Sequence, residues 1–398
     1  MSYSPNKAQL TLPPLSLYIH VPWCVRKCPY CDFNSHKAQA VLPEQAYVDA
    51  LLQDLASELP SVQGRKLHSI FIGGGTPSLL TPAAYQRLFT GLRDQLDFFC
   101  DGPDVIEITM EANPGTFEQE RFDSFRAIGI NRLSIGVQSF HDECLQALGR
   151  IHSSSEAIRA MAMARKAGFD NINLDLMHGL PHQNEQMAMA DLQQAIELAP
   201  NHLSWYQLTI EPNTIFWNKP PTLPEDETLW SIQEQGLALL AEHGFQQYEI
   251  SAYSQNGRQS QHNLNYWRFG DFIGIGAGAH GKLTNLQTGE ITRNWKTRQP
   301  EAYLNAAQLI SKEKPFQAGQ QLLTKAELPL EFMMNALRLH DGVAAELYEQ
   351  RTGLALDEIA TTLEKVRSLE LLTGDRARIQ PTPQGSLFLN VLLEHFCA

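Results

Sequence analysis

The chain has 398 residues, of which 43% are apolar and 19% charged, enough material for a large core and too little polarity for disorder. Its 31 basic and 44 acidic side chains give a net charge of −13, which excludes a general nucleic-acid or anionic-membrane binder, because those need a basic footprint. At roughly 100–200 residues per domain the length allows two or three domains, or one barrel with a smaller unit.

Residues 1–14 form a polar, Pro-rich tail without the basic-then-apolar pattern of a leader. No apolar run reaches the roughly 20 residues of a spanning helix, so no intrinsic membrane span and a cytoplasmic location are expected. Residues 15–21 read as a strand, 44–59 as a helix, 68–72 as a strand ending in glycines, and 83–96 as a helix. The alternation continues with a strand at 105–110, a helix at 118–127 and a strand at 132–137. Helices at 141–148 and 155–167 follow, then a strand at 171–177, a helix at 185–198 and a strand at 203–210. A helix at 225–243 and a last strand at 247–253 complete the run. Six or seven such units in about 240 residues predict an α/β fold, a full or partial (β/α) barrel. In that fold the chemistry sits past the C-terminal ends of the strands.

The pattern changes near residue 300, so residues 15–300 are assigned to the barrel and 301–398 to a small C-terminal helical or winged-helix-like domain. There, residues 322–339 read as helical with Pro329 marking a break or a fresh start, 355–369 as a helix, 371–380 as a hairpin and 385–396 as a helix. The acidic balance favours a packing or partner role for this unit over DNA binding.

Three of the six cysteines, Cys24, Cys28 and Cys31, crowd one loop directly after the first strand, while Cys100, Cys144 and Cys397 are scattered. A tight cluster in a long cytosolic chain suggests a metal rather than disulfides. Thiolates suit an iron–sulfur cluster or zinc. Three thiolates can hold three irons of a 4Fe–4S cube and leave the fourth iron open to an outside chelate. A closed zinc site needs four ligands, which His20 or His36 could complete, and a zinc-stabilised barrel without redox role stays an alternative.

Cys24-x-x-x-Cys28-x-x-Cys31 after the first strand of such a barrel resembles the radical SAM superfamily. The resemblance implies that S-adenosylmethionine (SAM) chelates the open iron. One-electron reduction from a low-potential donor then gives a 5′-deoxyadenosyl radical. It puts Tyr30, just before the third cysteine, near the adenine, and the glycine turn Gly73-Gly74-Gly75-Thr76 against the methionine amino group. It also puts Tyr18, Gly74, Gly75, Thr76, Glu111, Gln138, Arg150 and Asp175 at or near SAM. Read singly, each is equally a capping or core residue, although Asp175 between apolar neighbours is costly to bury unless paired.

Longer stretches narrow the match: Tyr18 to Cys24, Ile135 to Phe140, Asp175 to Pro181, and His262-Asn263-Leu264-Asn265-Tyr266-Trp267. Together they resemble the oxygen-independent coproporphyrinogen III oxidase family of porphyrin biosynthesis over nearly the whole chain. The oxidases carry a fourth cysteine two residues after the third, where this chain has Phe33, and more than the 23 residues that precede Cys24 here. Both differences resemble the sister branch of radical SAM heme chaperones, which implies heme as cargo and acceptor hemoproteins, respiratory ones among them, as partners. Oxidase activity is the alternative, and Phe33 in place of the fourth cysteine speaks against it. His262, Tyr266 and Trp267 suit heme, as an axial imidazole and flat apolar faces, with His280, Cys144 and His152 as further candidates.

Overall fold

The computed structural model describes residues 9–397 apart from 102–103, 117–118, 256 and 309–312. The first eight residues of the tail and the start of the helix expected at 118 lie outside the described residues. Six parallel strands form the heart of the chain: β1 (Leu15–Val21), β2 (Leu67–Gly74), β3 (Glu107–Ala112), β4 (Arg132–Gln138), β5 (Asn171–His178) and β6 (His202–Gln207). Each after the first is reached through at least one helix, chief among them α1 (Glu44–Glu58), α2 (Pro82–Gln95), α3 (Gln119–Ile128), α4 (Ser154–Lys166) and α5 (Glu185–Glu197). Local chemistry starts these helices. Thr81 and Asn184 accept from the backbone N–H three residues on, and Ser153 and Glu156 make a reciprocal capping box.

The sheet does not close. After α6 (Asp226–Glu242), strands β7 (Gln246–Glu249) and β8 (Ala252–Ser254) run as an antiparallel pair against β6. The single strand expected at 247–253 is thus two. Ser251 N–H bonds back to the Glu249 carboxylate at 3.1 Å and fixes the turn between them. On the other side β9 (Asp271–Ile275) pairs in parallel with β1, and β10 (His280–Asn285), β11 (Glu290–Lys296) and β12 (Gln317–Leu322) continue as antiparallel neighbours. The order is β7-β8-β6-β5-β4-β3-β2-β1-β9-β10-β11-β12, a partial barrel.

Alternation along the six parallel strands explains its two faces. Leu15, Leu17, Ile19, Ile70, Ile72, Leu133, Ile135, Ile172 and Leu174 are buried against the helices. The intervening residues are polar and turn inward, as Ser134, Asn173, Asp175, Ser204 and Tyr206 do around one chamber. A short helix, α7 (Gln261–Trp267), fills the strand N-terminal end. The Glu107 carboxylate caps it by accepting from the N–H groups of Gln261 and His262, both at 3.1 Å. Asn265 donates to Ser16 Oγ at 2.9 Å.

Beyond β12 a second core forms. Pro329 opens helix α8 (Leu328–Ala336) as a first-turn residue, so the stretch expected at 322–339 is a strand end followed by a fresh helix. Residues 385–396 are also two helices, Pro383–Leu387 and Leu389–Glu394, parted at Phe388. The hairpin expected at 371–380 forms as a narrow antiparallel bridge, Leu372 opposite Pro381 with Thr373 N–H on Gln380 O at 2.9 Å, and its second arm, Arg378–Ile379, also ladders with Val343–Ala344. Phe332 of α8 packs on Phe269 with ring centres 5.7 Å apart, joining this unit to the segment after α7. No helix among the described residues is long and apolar enough to cross a membrane.

Buried ion clusters hold the β9–β12 extension. Asp271 is fully buried and accepts from Arg65 at 2.7 Å, Lys282 at 2.9 Å and Thr284 Oγ1 at 2.9 Å. Burial alone would raise its pKa, but Lys282 and Arg65 outweigh it and hold the carboxyl below its usual range. Asp271→Ala would strand the buried Lys282 cation. Denaturant unfolding is expected to show a loss of about 3–5 kcal/mol, against a much smaller loss for the paired change Asp271→Leu with Lys282→Met.

Candidate functional site

The cluster loop leaves β1 and is clamped at its base. His36 N–H bonds to Pro22 O at 2.7 Å and Ala38 N–H to Cys24 O at 2.8 Å. Lys27 Nζ reaches across the loop to Phe33 O and Ser35 O, at 3.1 and 3.3 Å. The loop lies against the end of β2, where Gly75 N–H bonds to Val21 O and Thr76 N–H to Trp23 O, both at 2.7 Å. Glycine is required there by contact. A Cβ at Gly75 would lie 2.5 Å from Trp23 O and 3.0 Å from Cys24 Sγ. At Gly74 it would strike the His20 ring at 2.6 Å, with φ at +118° besides.

The three thiols open into a chamber of about 430 Å³ at the strand C-terminal ends, a volume usual for small-ligand sites. Burial pushes the Cys24 and Cys31 thiols up from their ordinary pKa, so ligation there would release protons. Among the described residues no group of three His, Cys, Asp or Glu is arranged to hold a single metal ion. His20 is engaged by Tyr18 OH at 2.9 Å and Asn34 O at 2.8 Å, and His36 Nε2 by Asn34 Oδ1 at 3.3 Å. Neither therefore completes a zinc site in this arrangement. Three soft donors along one chamber wall, beside a cradle a side chain would fill, fit a larger iron–sulfur group.

Around the same chamber stand Gly74, Gly75, Thr76, Glu111, Gln138, Arg150, Asp175 and Tyr30. Gly74 N–H donates to Glu111 Oε2 at 3.0 Å. Asp175 accepts from Ser134 Oγ at 2.9 Å and Asn173 Nδ2 at 2.8 Å, which offsets part of the cost of its burial, and burial still raises its pKa. Arg150 donates to Gly136 O at 2.7 Å and lies 3.8 Å from Cys28 Sγ. Gln138 is buried with φ at +71°, held by the irregular register of β4 on β5 and by Tyr206 OH at 3.1 Å. A left-handed non-glycine in a chamber wall is strain the surrounding fold must impose.

Several wall residues escaped the sequence reading. Asn113 donates to Thr76 Oγ1 at 2.8 Å and accepts from Arg150 at 2.6 Å, tying the glycine turn to the guanidinium. Its signal was its place two residues after Glu111. Arg338, from the C-terminal unit, reaches the chamber floor with its guanidinium 4.4 Å from the Trp267 ring centre and 3.8 Å from Glu249. Nothing in the sequence pattern places it there.

The 262–267 motif is divided by the fold. Trp267 lines the chamber. His262 is 1% exposed and both ring nitrogens are engaged, Nδ1 with Ser69 Oγ at 2.9 Å and Nε2 with Tyr266 OH at 2.8 Å. Burial pulls its pKa down to about 3. Tyr18 and Tyr266 line a neighbouring, shallower pocket. Of the further candidates, Cys144 is fully buried and His152 Nε2 bonds to Val137 O at 3.0 Å.

Glu111 is pushed up to about 8, by burial first and by Asp175 second, with the Gly74 N–H acting against both. The ligand-free fold therefore holds a proton there that the unfolded chain releases. This group's contribution to stability is full below the ordinary glutamate pKa and is lost as pH rises through about 8. Glu111→Gln is expected to flatten that decline. Unfolding midpoints of the ligand-free variant should fall less than wild type between about pH 5 and pH 8.5.

Residues 18–195 match the radical SAM superfamily and 323–388 the HemN C-terminal domain. The chain is 51% identical over 389 residues to the heme chaperone HemW of Haemophilus influenzae, covering 97% of this chain and 98% of that one. It is 52% identical over 387 residues to heme chaperone HemW of Escherichia coli, covering 97% and 99%. Among solved structures, the radical SAM enzyme coproporphyrinogen III oxidase (HemN) of Escherichia coli aligns with a TM-score of 0.80 at 25% identity, over 97% of this chain and 90% of that one.

Proposed function

The chain belongs to the radical SAM superfamily and, within it, to the family of the HemW heme chaperones, and from that premise we propose that it binds heme and hands it to acceptor hemoproteins. The family implies a 4Fe–4S cluster and SAM. In this reading Cys24, Cys28 and Cys31 hold the cluster. Gly74, Gly75 and Thr76 receive the amino-acid end of SAM, with Glu111 beside them. Gln138, Arg150, Asp175 and Tyr30 line the remainder, and Tyr18 stands behind Phe71 of the chamber wall, in the adjoining pocket. When bound, cluster and SAM supply one-electron chemistry drawn from a low-potential donor. The chain's own work is positional. Arg150 sets a positive charge beside Cys28, and Asn113 holds that guanidinium against the glycine turn.

The observation that carries the chaperone reading is Phe33. It is 62% exposed at the lip of the chamber, where a fourth thiol would stand in the oxidases that the sequence resembles. An exposed ring there suits a flat apolar cargo at the surface better than a sealed reaction. Oxidative decarboxylation of coproporphyrinogen III is the second reading. Arg132 and Arg338 favour it, two guanidinium groups inside the chamber that could meet propionates.

Anaerobic reconstitution with iron and sulfide, then heme titration, separates the two. A Soret band saturating at one heme per chain, and heme transfer to an apo-hemoprotein, are expected, without release of 5′-deoxyadenosine from SAM when coproporphyrinogen is added. Porphyrinogen turnover without heme binding would reverse the assignment. Cys28→Ser is expected to lose cluster iron and acid-labile sulfide while its unfolding midpoint in the metal-free form stays near that of wild type.

A further inference from the structure

Two features of the sequence, Phe33 and the 262–267 motif, lie far apart in the chain yet meet in one pocket. This pocket, of about 470 Å³, lies over the inward-facing residues of β1 and β9, next to the cluster loop and separate from the floor of the SAM chamber. Phe33 lines both spaces and forms the wall between them. Tyr266 and Phe272 make its back, with ring centres 4.5 Å apart and nearly perpendicular. His280, at the start of β10, and Arg298, just past β11, stand at the opening, and both are exposed.

Those side chains have the chemistry of a porphyrin site. Three aromatic rings offer apolar surface to a macrocycle. His280 lies against Trp295, with ring centres 6.4 Å apart and 30° between planes, and its ring nitrogens make no hydrogen bond to any described residue. Partial desolvation of the ring among its neighbours, with Arg293 and Arg298 nearby, lowers its pKa although one edge faces solvent, so the imidazole keeps a lone pair for a metal at neutral pH. Arg298 is in no ion pair among the described residues and can take a carboxylate. Asp32, the one acid on the rim, directs propionates to the Arg298 side.

Resting on the chaperone reading above, we propose that heme docks in this second pocket, its iron ligated by His280, one face on Phe33, Tyr266 and Phe272, and a propionate on Arg298. His262 is then a positioning residue. Its Nε2 fixes Tyr266 OH at 2.8 Å from inside the barrel, and Ser69 fixes its own ring in turn. The motif thus acts through its tyrosine, and the imidazole that meets iron comes from the start of β10.

The test is heme titration of the full, cluster-loaded chain, with the Soret position and the dissociation constant as readouts. His280→Ala is expected to shift the Soret band and weaken binding about tenfold, a loss of about 1.4 kcal/mol. Added imidazole should restore the band, which repair of a merely structural defect would not do. Arg298→Glu, a surface change, should weaken heme binding while leaving the Soret position unchanged. His280→Ala with wild-type spectrum and affinity would overturn the site while leaving the chaperone reading standing. Wild-type protein that binds no heme would overturn both.

Discussion

The structure depends on the burial of polar side chains inside a barrel that has no closing strand. Each parallel strand turns its aliphatic residues outward to the helices, which leaves hydroxyls, amides, carboxylates and a guanidinium facing one another within. Such groups are stable inside only when paired. The fold answers with ladders that run from strand to strand: Asn173 to Ser134 and Asp175, Ser16 to Ser69, and Ser69 to His262. Where pairing stops, at the C-terminal ends, the chamber begins, and there Glu111 is left with a raised pKa. Unfinished pairing of this kind marks a site that expects a ligand.

The helix at 261–267 serves the same constraint from below. Its N-terminal N–H groups need an acceptor, and the Glu107 carboxylate at the start of β3 needs donors. Each satisfies the other. From that seat the helix sends Trp267 to the chamber, Tyr266 to the second pocket, and His262 to neither. One short helix therefore connects two ligand-sized spaces, and the wall they share at the surface is Phe33, on the cluster loop. On the proposed reading, a redox-active group and a removable cargo would lie close together without competing for one cavity.

The C-terminal unit packs as a second core, but it is not merely an appendage. The guanidinium of Arg338 lies over Trp267 and beside Glu249, so this unit supplies part of the chamber floor. The acidic balance had pointed to a packing or partner role. The structure adds a contact with the functional cavity that no charge count could reveal.

Local chemistry made much of this legible from residues alone. Alternating apolar runs with helical stretches between them dictate parallel strands, because a strand that crosses over to a parallel neighbour needs a helix-length connection. Three cysteines within eight positions must share a loop whatever the rest does, and glycines at a strand end must mark a close approach. Single long elements were misread where one side chain reverses the path, as Glu249 does by capping the turn before β8. Pro329 could equally break a helix or start one, and only the packing of Phe332 on Phe269 chose the second. What the linear order could not hold was convergence. Phe33, Tyr266, His280 and Arg298 share a pocket because β1 lies between β2 and β9, and strand order across a sheet is decided by the packing of whole elements. For the same reason the sequence offered His262 as a candidate ligand. Its spacing to Tyr266 is fixed by helix geometry, but which way that helix faces is set by Glu107, Ser69 and Ser16, residues more than 150 positions away.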